Sequence, residues 1–233
     1  MRILVLSPHY DDAPLSLGQS LIDGALSRHE VTVGVVFGRS AWVRWFHPTR
    51  RRSPIATAIR RVEEQRNSRR FGYRLIIGGR EEATLRLETT DTSRYLDPNA
   101  DPSSSGEVEP ALRVCAAWAE RHDAVLAPLG VGDHLDHLVL AEVGRRLGAS
   151  ATRVGFYAER PYATMLGDSA IDERAVAIDS EARLMEASGP ITTAKRQRLW
   201  YPSQFDEHFV AALRIDEEQG RCERLYLRAN LTL

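Results

Sequence analysis

The sequence is poor in the residues and runs that mark secreted and membrane proteins. Only two of its 233 residues are cysteine, Cys115 and Cys222, and they stand too far apart for a CxxC pair. We expect them to be buried, reduced thiols. No apolar run approaches the roughly 18 residues of a membrane helix, and the short apolar N-terminal run meets aspartates at once, unlike a signal peptide. These absences predict a cytoplasmic protein without a membrane span.

Neither a charge imbalance nor a nucleotide-binding glycine motif is present. The formal net charge is −1, with 31 basic and 32 acidic side chains, so nothing in the composition favours nucleic acid as a partner. Residues 1–18 lack the GxGxxG turn of dinucleotide-binding domains, which disfavours a nucleotide-binding module. A hydrophobic fraction of 43% suits one globular domain over residues 1–233, and a homo-oligomer is compatible with it.

Residues 1–18 place an imidazole and two carboxylates directly after a buried strand. The apolar residues 3–6 predict the strand, a Ser-Pro turn follows, and His9, Asp11 and Asp12 precede a helical pattern. Ligands of open α/β sheets bind beyond the carboxyl ends of the strands, where these side chains lie. Imidazole with carboxylate suits zinc and similar divalent ions. Capping of the next helix is the alternative use of the two aspartates.

A second group of the same chemistry follows another predicted strand. Residues 124–128 of this strand are apolar, and the turn after them carries His134, Asp136 and His137. Two histidines three residues apart can share one face of the first helical turn. Capping by Asp133 is again the alternative, but two His/Asp groups at strand ends together favour one metal site.

Strands and helices alternate along the chain. This alternation favours parallel strand pairs with crossover helices. We predict further strands at 31–37, 73–77, 123–128, 152–156 and 221–228, the last of them antiparallel at an edge, and helices at 55–72, 107–121, 134–147 and over most of 180–200.

Two segments carry candidate binding side chains outside the motifs. Residues 38–54 combine tryptophans with arginines after the second strand. They fit a sugar or phosphate contact, a lid or a subunit contact. Tyr157 and Arg160 follow the fifth strand at the same edge of the sheet, and we predict that they bind substrate.

The helix at 55–72 is expected to bury an apolar stripe. The stripe consists of Ile55, Ile59, Val62 and Phe71, and most of the charged residues between them are expected to face solvent. The segment 80–106 is polar and is predicted to be a long irregular loop.

The two motifs together carry a family resemblance. With PHYDD at residues 8–12 and HLDH at 134–137, the chain resembles the PIG-L/LmbE family in motif type, order and separation. The resemblance implies a Rossmann-like α/β fold, a three-layer sandwich of a mostly parallel sheet with helices on both faces. It also implies zinc-dependent removal of the acetyl group from N-acetylglucosaminyl compounds, so the expected partner is a small acetamido sugar.

The resemblance assigns a role to most side chains of the two motifs. His9, Asp12 and His137 are similar to the family's metal ligands. Asp11 is similar to the general base that activates water. His134 is similar to the residue that stabilises the oxyanion as a protonated ring or protonates the leaving amine.

Other matches are softer, and two positions depart from the family pattern. By the same resemblance, Asp136 would orient or polarise one of the two histidines beside it. Arg61 resembles an arginine that family members use on substrate hydroxyls. Ala13 stands where the family more often has Glu, and Tyr10 where it often has Pro or Ala. Neither departure removes a ligand, but Ala13 indicates a divergent subgroup.

Three functions are compatible with these assignments. The first is a zinc amidohydrolase that deacetylates an acetamido sugar. The second is an amidase of the same fold that cleaves a different sugar-linked amide, and the third is a catalytically silent carbohydrate-binding protein. Zinc is the expected cofactor, and Fe²⁺ or another divalent ion suits the same ligands because selectivity follows geometry and availability.

Overall fold

A seven-stranded sheet forms the centre of the fold, as described by a computed structural model for residues 1–150 and 152–233. The strands are β1 (Arg2–Ser7), β2 (Glu30–Val35), β3 (Arg74–Ile77), β4 (Ala124–Pro128), β5 (Val154–Tyr157), β6 (Arg183–Pro190) and β7 (Cys222–Leu227). Their order across the sheet is β3-β2-β1-β4-β5-β7-β6. The first five are parallel, whereas β7 runs antiparallel to both β5 and β6.

Helices cover both faces of this sheet. They are α1 (Asp12–Asp23), α2 (Ser53–Phe71), α3 (Ala83–Arg86), α4 (Val108–Ala119), α5 (Leu135–Ala149), α6 (Tyr162–Met165), α7 (Asp168–Ile178), α8 (Thr193–Arg198) and α9 (Glu207–Glu218). One apolar cluster joins the sheet to α4, α5 and α7, and a second contains side chains of α1, α2 and α9. The predicted three-layer α/β sandwich with a mostly parallel sheet is confirmed.

The position of β1 in the sheet determines where a ligand can bind. Its residues 3–6 are fully buried, as expected for a central parallel strand covered by helices on both faces. The chain passes from β1 to β2 on one side and returns to β4 on the other. The loops after β1 and β4 therefore diverge at a topological switch point, where open α/β sheets form their binding crevice.

The predicted helix over 180–200 was wrong in its first half. Residues 183–190 form the edge strand β6, and a helix occupies only 193–198. Most of β6 is exposed or half-buried, so its sequence shows no apolar alternation that would identify a strand. The strand at 221–228 is antiparallel, as predicted, but it lies between β5 and β6 rather than at the edge.

The predicted buried stripe of α2 was wrong except at the end of the helix, where Phe71 is buried. The side chains of Ile55 and Val62 are 59% and 58% exposed, whereas Arg60, Glu63 and Glu64 are buried. The reason is that α2 turns a polar face towards the interior, where these charged residues have hydrogen-bond partners. Apolar spacing therefore indicated the outer face of this helix.

Both cysteines are free; Cys115 is buried, as expected, and Cys222 is partly exposed. Among residues 1–150 and 152–233, no helix combines the length and apolar character needed to span a bilayer.

Candidate metal and active site

Side chains of both motifs meet in one cavity of about 170 Å³ at the carboxyl edge of the sheet. His9, Asp11 and Asp12 reach it from the turn after β1, and His134 and His137 reach it from the start of α5. The structure thus brings together side chains that are more than a hundred positions apart in the sequence.

The turn after β1 is held by hydrogen bonds within itself. The Ser7 hydroxyl donates to the carbonyl of His9 at 2.7 Å and accepts from the N–H of Ala13 at 3.2 Å. The carboxylate of Asp12 accepts the backbone N–H of His9 at 2.7 Å. Asp11 precedes α1 in the N-cap position, but its side chain makes no capping hydrogen bond. The capping alternative therefore does not describe Asp11.

Three ligand-type atoms converge at the centre of the cavity. Oδ2 of Asp12 lies 3.3 Å from Nδ1 of His9 and 3.4 Å from Nε2 of His137. Two atoms bound at about 2.0 Å to one tetrahedral zinc ion lie about 3.3 Å apart. All three residues are buried. The donor set and its spacing therefore fit a divalent metal ion.

The remaining nitrogen of each histidine ring is held by a buried carboxylate. Nε2 of His9 lies 2.9 Å from Oδ2 of Asp136, and Nδ1 of His137 lies 3.2 Å from Oε1 of Glu159. Both carboxylates are fully buried. Metal-binding histidines characteristically donate their second N–H to such a group, which fixes the ring and its tautomer. The arrangement leaves one nitrogen of each ring directed at Asp12.

Asp136 contacts a different histidine from those expected. Its carboxylate contacts His9 from the first motif, and it also accepts hydrogen bonds from the N–H of Ala83 at 2.8 Å and from Arg86 at 2.7 Å. The neighbouring His134 instead caps α5, because its Nδ1 accepts the backbone N–H of Asp136 at 3.1 Å. The predicted alternative of an Asp133 cap is replaced by this histidine cap.

A second group of ligand-type residues shares His9 with the first. His9, His134 and Asp136 offer atoms within 4.8 Å of one another. The Asp136 carboxylate, however, is already engaged by Arg86 and a backbone N–H, and Nδ1 of His134 is used by its own helix. The group of His9, Asp12 and His137 is the better metal-site candidate. The three atoms that face one another in this group contact each other, and the only further partner in the described part of the chain is the backbone N–H of His9, which donates to Asp12.

Burial and mutual charge set the protonation of this group. Burial opposes a charged His9, but hydrogen bonds with Asp12 and Asp136 outweigh it and raise the pKa of His9 to about 10. Burial likewise opposes ionisation of Asp12, but the charge of His137 and the hydrogen bond with His9 hold its pKa well below the ordinary value. Without a metal ion, the protons on the histidine rings balance the negative charge of the neighbouring carboxylates. Metal binding would displace those ring protons that face Asp12.

Asp11 faces the same cavity beside an arginine. Burial raises the pKa of Asp11, and Arg60, whose guanidinium lies 3.2 Å from Oδ1, opposes that increase. Arg60 also donates to the Ser40 hydroxyl at 2.9 Å and to Glu82 at 3.2 Å. Arg61, the residue indicated by the family resemblance, is exposed and does not line this cavity. The adjacent Arg60 is the arginine of this cavity.

Tyr157 and Arg160, predicted to bind substrate, have structural contacts instead. Tyr157 is fully buried and its hydroxyl donates to the carbonyl of Leu6 at 2.9 Å. Arg160 forms an ion pair with Asp216 at 2.6 Å. Neither lines the cavity, because the chain after β5 turns and directs Tyr162 into it.

Aromatic side chains that the sequence did not assign surround the histidines. The ring of Tyr95 lies 5.2 Å from that of His134, and the ring of Tyr162 meets His137 edge-on at 5.6 Å. Tyr95 belongs to the irregular segment 80–106, and a backbone bridge between Leu96 and His134 brings it to the site. No local pattern could have identified it.

The outer wall of the cavity comes from two segments, one of which is the loop at 38–54 that the sequence had marked. Trp42, from the loop at 38–54, and Gln204, from the aromatic segment at 200–205, both line it. Nε2 of Gln204 donates to the carbonyl of Trp42 at 3.2 Å, so the two segments support each other. The tryptophans and arginines of the 38–54 loop were therefore a useful signal for one part of the cavity wall.

Comparison with known proteins gives one similar sequence. No protein-family model matches the chain. The chain is similar to 2'-N-acetylparomamine deacetylase of Streptomyces fradiae, with 34% identity over 197 residues that cover 83% of this chain and 66% of that protein. The chain thus spans just under two thirds of its relative's length.

Solved structures show the same fold at lower sequence identity. Teicoplanin deacetylase, solved in a zinc-inhibited form, superposes with a TM-score of 0.68 at 19% identity over 97% of each chain. The 4-carboxy-2-hydroxymuconate hydratase of Pseudomonas putida superposes with a TM-score of 0.54 at 12% identity, over 100% of this chain and 97% of that one. A hydratase with this fold shows that function has to be argued from the site.

Proposed function

We propose that this protein is a metal-dependent hydrolase that removes the acetyl group from an N-acetylated amino sugar or sugar conjugate. The observation that carries the proposal is the convergence of two histidine nitrogens on Asp12 within 3.4 Å. Each ring is held from behind by a buried carboxylate. Similarity to 2'-N-acetylparomamine deacetylase supports an acetamido sugar as the substrate.

The metal ligands in this proposal are His9, Asp12 and His137. Three protein ligands are typical of a catalytic zinc site, which keeps a position open. When bound, the ion supplies a Lewis acid for the amide carbonyl and lowers the pKa of water from about 15.7 towards 7. Zinc is our first choice, and Fe²⁺ suits the same imidazole and carboxylate ligands.

Asp11 is the general base of the proposed reaction. Its carboxylate lines the cavity beside the metal ligand Asp12, and burial raises its pKa towards the range useful for proton transfer. Arg60 contacts one carboxylate oxygen and so fixes the plane of the group. The other oxygen takes the proton of the attacking water.

His134 acts as a neutral hydrogen-bond donor. A backbone N–H can only donate, so Nδ1 of His134, which accepts from Asp136, carries no proton, and the ring proton is on Nε2. Burial also holds the pKa of His134 well below its ordinary value. This differs from the protonated ring expected from the resemblance. His134 then stabilises the oxyanion, and Asp11 returns its proton to the leaving amine.

The test combines metal content with acetate release. We expect about one divalent ion per chain and release of acetate from an N-acetylated amino sugar, with both lost on chelation and restored by zinc or Fe²⁺. Release of a larger acid instead would indicate a different amide. Sugar binding without turnover in the metal-loaded protein would support a silent binding protein. Failure to bind either metal would contradict the hydrolase proposal.

A further inference from the structure

A second cavity, of about 370 Å³, opens beside the first. Thr84 of α3 lines both cavities. Ala41 lines the second cavity, and the next residue in the chain, Trp42, lines the first. The two cavities are therefore adjoining parts of one larger cleft.

Ion pairs and a backbone bridge hold the walls of this second cavity together. One wall is the loop after β2, and the other is the segment after β3. Arg50 of the first wall donates to Glu81 at 3.0 Å and to the carbonyl of Leu85 at 3.1 Å. A backbone bridge also joins Arg39 to Glu81. The cleft is thus fixed by contacts between its two walls.

Its lining is rich in hydroxyl groups and carries both charges. Thr49, Thr89 and Thr90 line it together with Arg50 and Glu88. Threonine offers a hydroxyl for hydrogen bonding and a methyl group for contact with a ring face. The Glu88 carboxylate, whose side chain is 74% exposed, lies 3.4 Å from Arg50 and offers an anionic partner to an ammonium group. This chemistry suits a polar ring better than an acyl chain.

The first cavity is too small for a whole sugar conjugate. Its volume of about 170 Å³ is less than half that of its neighbour. Pockets that bury a drug-sized ligand have volumes of about 300–1,000 Å³. A conjugate with its acetamido group at the histidines must therefore place its remaining part outside this cavity.

We infer that the second cavity is a subsite for a second ring of the substrate, a ring bearing hydroxyl and amino groups. The acetamido ring occupies the first cavity, and the linkage between the rings passes Thr84. This inference rests on the proposed deacetylase function and specifies its substrate class. It makes the residues of the second cavity determinants of specificity.

The test compares one-ring and two-ring substrates in the metal-loaded protein. We expect kcat/KM for 2'-N-acetylparomamine to exceed that for N-acetylglucosamine at least tenfold. Thr90 is exposed and lines only the second cavity, so Thr90→Trp fills the subsite without touching the histidines. This variant should lose most of the two-ring advantage and keep one-ring turnover within twofold. Thr232→Trp, at an exposed threonine near the chain end, is the matched control.

If Thr90→Trp changes kcat/KM equally for both substrates, or changes neither, the subsite is overturned. Acetate release in the same assay would still support the proposed function. The octyl glycoside of N-acetylglucosamine tests whether the subsite binds a polar ring. If its kcat/KM exceeds that of N-acetylglucosamine as much as the two-ring substrate does, and Thr90→Trp removes this advantage, the subsite binds an alkyl chain and the polar ring is overturned.

Calorimetry with the deacetylated compounds separates the two proposals. If neither substrate releases acetate, but paromamine binds more tightly than glucosamine and Thr90→Trp alone removes the difference, the subsite stands and the hydrolase proposal fails. If paromamine gains nothing over glucosamine, the subsite is overturned. Glu88→Gln should weaken paromamine binding severalfold and leave glucosamine binding unchanged.

Discussion

Two buried glutamates, Glu159 and Glu223, have almost the same surroundings but different partners. Each is fully buried, and each accepts hydrogen bonds from two successive backbone N–H groups at 2.7–3.0 Å. The nitrogen partner of Glu159 is Nδ1 of His137, at 3.2 Å. The partner of Glu223 is Nζ of Lys195, the single lysine of the chain, at 2.8 Å.

The difference lies in what the partner does next. The side chain of Lys195 ends at its ammonium group and has no second group that could bind a ligand. Its ion pair with Glu223, here called the closed pair, therefore only joins α8 to α1. His137 has a second ring nitrogen, which faces Asp12 at 3.4 Å. Glu223 therefore neutralises the charge of Lys195, whereas Glu159 orients His137 towards Asp12 in what is here called the orienting pair. Burial and hydrogen bonding alone do not distinguish a structural glutamate from a functional one; the partner's connections do.

The largest effect is expected for a carboxylate that takes part in the reaction itself. Asp11→Asn removes the proposed base, so acetate release should fall by about 10²–10⁴-fold. Metal content should be unchanged, since Asp11 is not a proposed ligand. Asp101→Asn, at an exposed aspartate, should have no effect and serves as the control. Near-normal turnover in Asp11→Asn with metal bound would show that another group is the base.

The closed pair should contribute to stability. Lys195→Met leaves Glu223 as an uncompensated buried charge, which should lower the free energy of unfolding by about 3–5 kcal/mol. Denaturant unfolding of the two proteins measures this difference. The double variant Lys195→Met/Glu223→Gln should recover part of the loss. The metal affinity of folded Lys195→Met should not change. A large loss of metal affinity would show that the Lys195–Glu223 pair is not purely structural.

The orienting pair should affect metal affinity. Glu159→Gln weakens the hold on Nδ1 of His137, so affinity for zinc should fall by about 10–100-fold. Glu223→Gln is a closely matched control, because it also alters a buried carboxylate that accepts two backbone N–H groups. Equilibrium competition with a chelator gives both affinities. Equal affinities in the two variants would remove the functional distinction between the glutamates.

A third buried glutamate, Glu64, tolerates burial by keeping its proton rather than by pairing with a cation. Glu64 accepts from the hydroxyls of Tyr73 at 2.6 Å and Tyr201 at 2.5 Å. Burial raises the pKa of Glu64 to about 8 from an ordinary value of 4.5, although these hydrogen bonds oppose the increase. Folded Glu64 is therefore protonated at neutral pH.

The effect that is smallest per unit of pH follows from this protonation. Between pH 4.5 and about 8 the folded protein keeps a proton that the unfolded chain releases. The free energy of unfolding should therefore fall as the pH rises through this window, by at most about 1.4 kcal/mol per unit. Glu64→Gln cannot titrate, so its unfolding free energy relative to the native protein should increase steadily from pH 5 to 8. A constant difference would show that Glu64 is ionised in the fold.

The sequence predicted the parts of the site that follow directly from central strands. Residues 3–6 and 124–128 are apolar because helices cover both faces of the sheet, so strand ends and the histidines beyond them could be located. Arg60 could not be distinguished from Arg61, because α2 buries a polar face and its apolar residues indicate the wrong side. Tyr95 and the contact of Asp136 with His9 depend on loops whose path no local pattern determines.

The segment after β3 has a consequence for protein engineering. It gives the N–H of Ala83 to Asp136, pairs Leu96 with His134 through the backbone, and lines the second cavity with Thr84 and Thr90. An exchange of the whole loop with a relative would alter selectivity and the orientation of His9 together. Libraries confined to residues 88–90 separate the two, since these positions lie on the cleft and outside the contacts with Asp136 and His134.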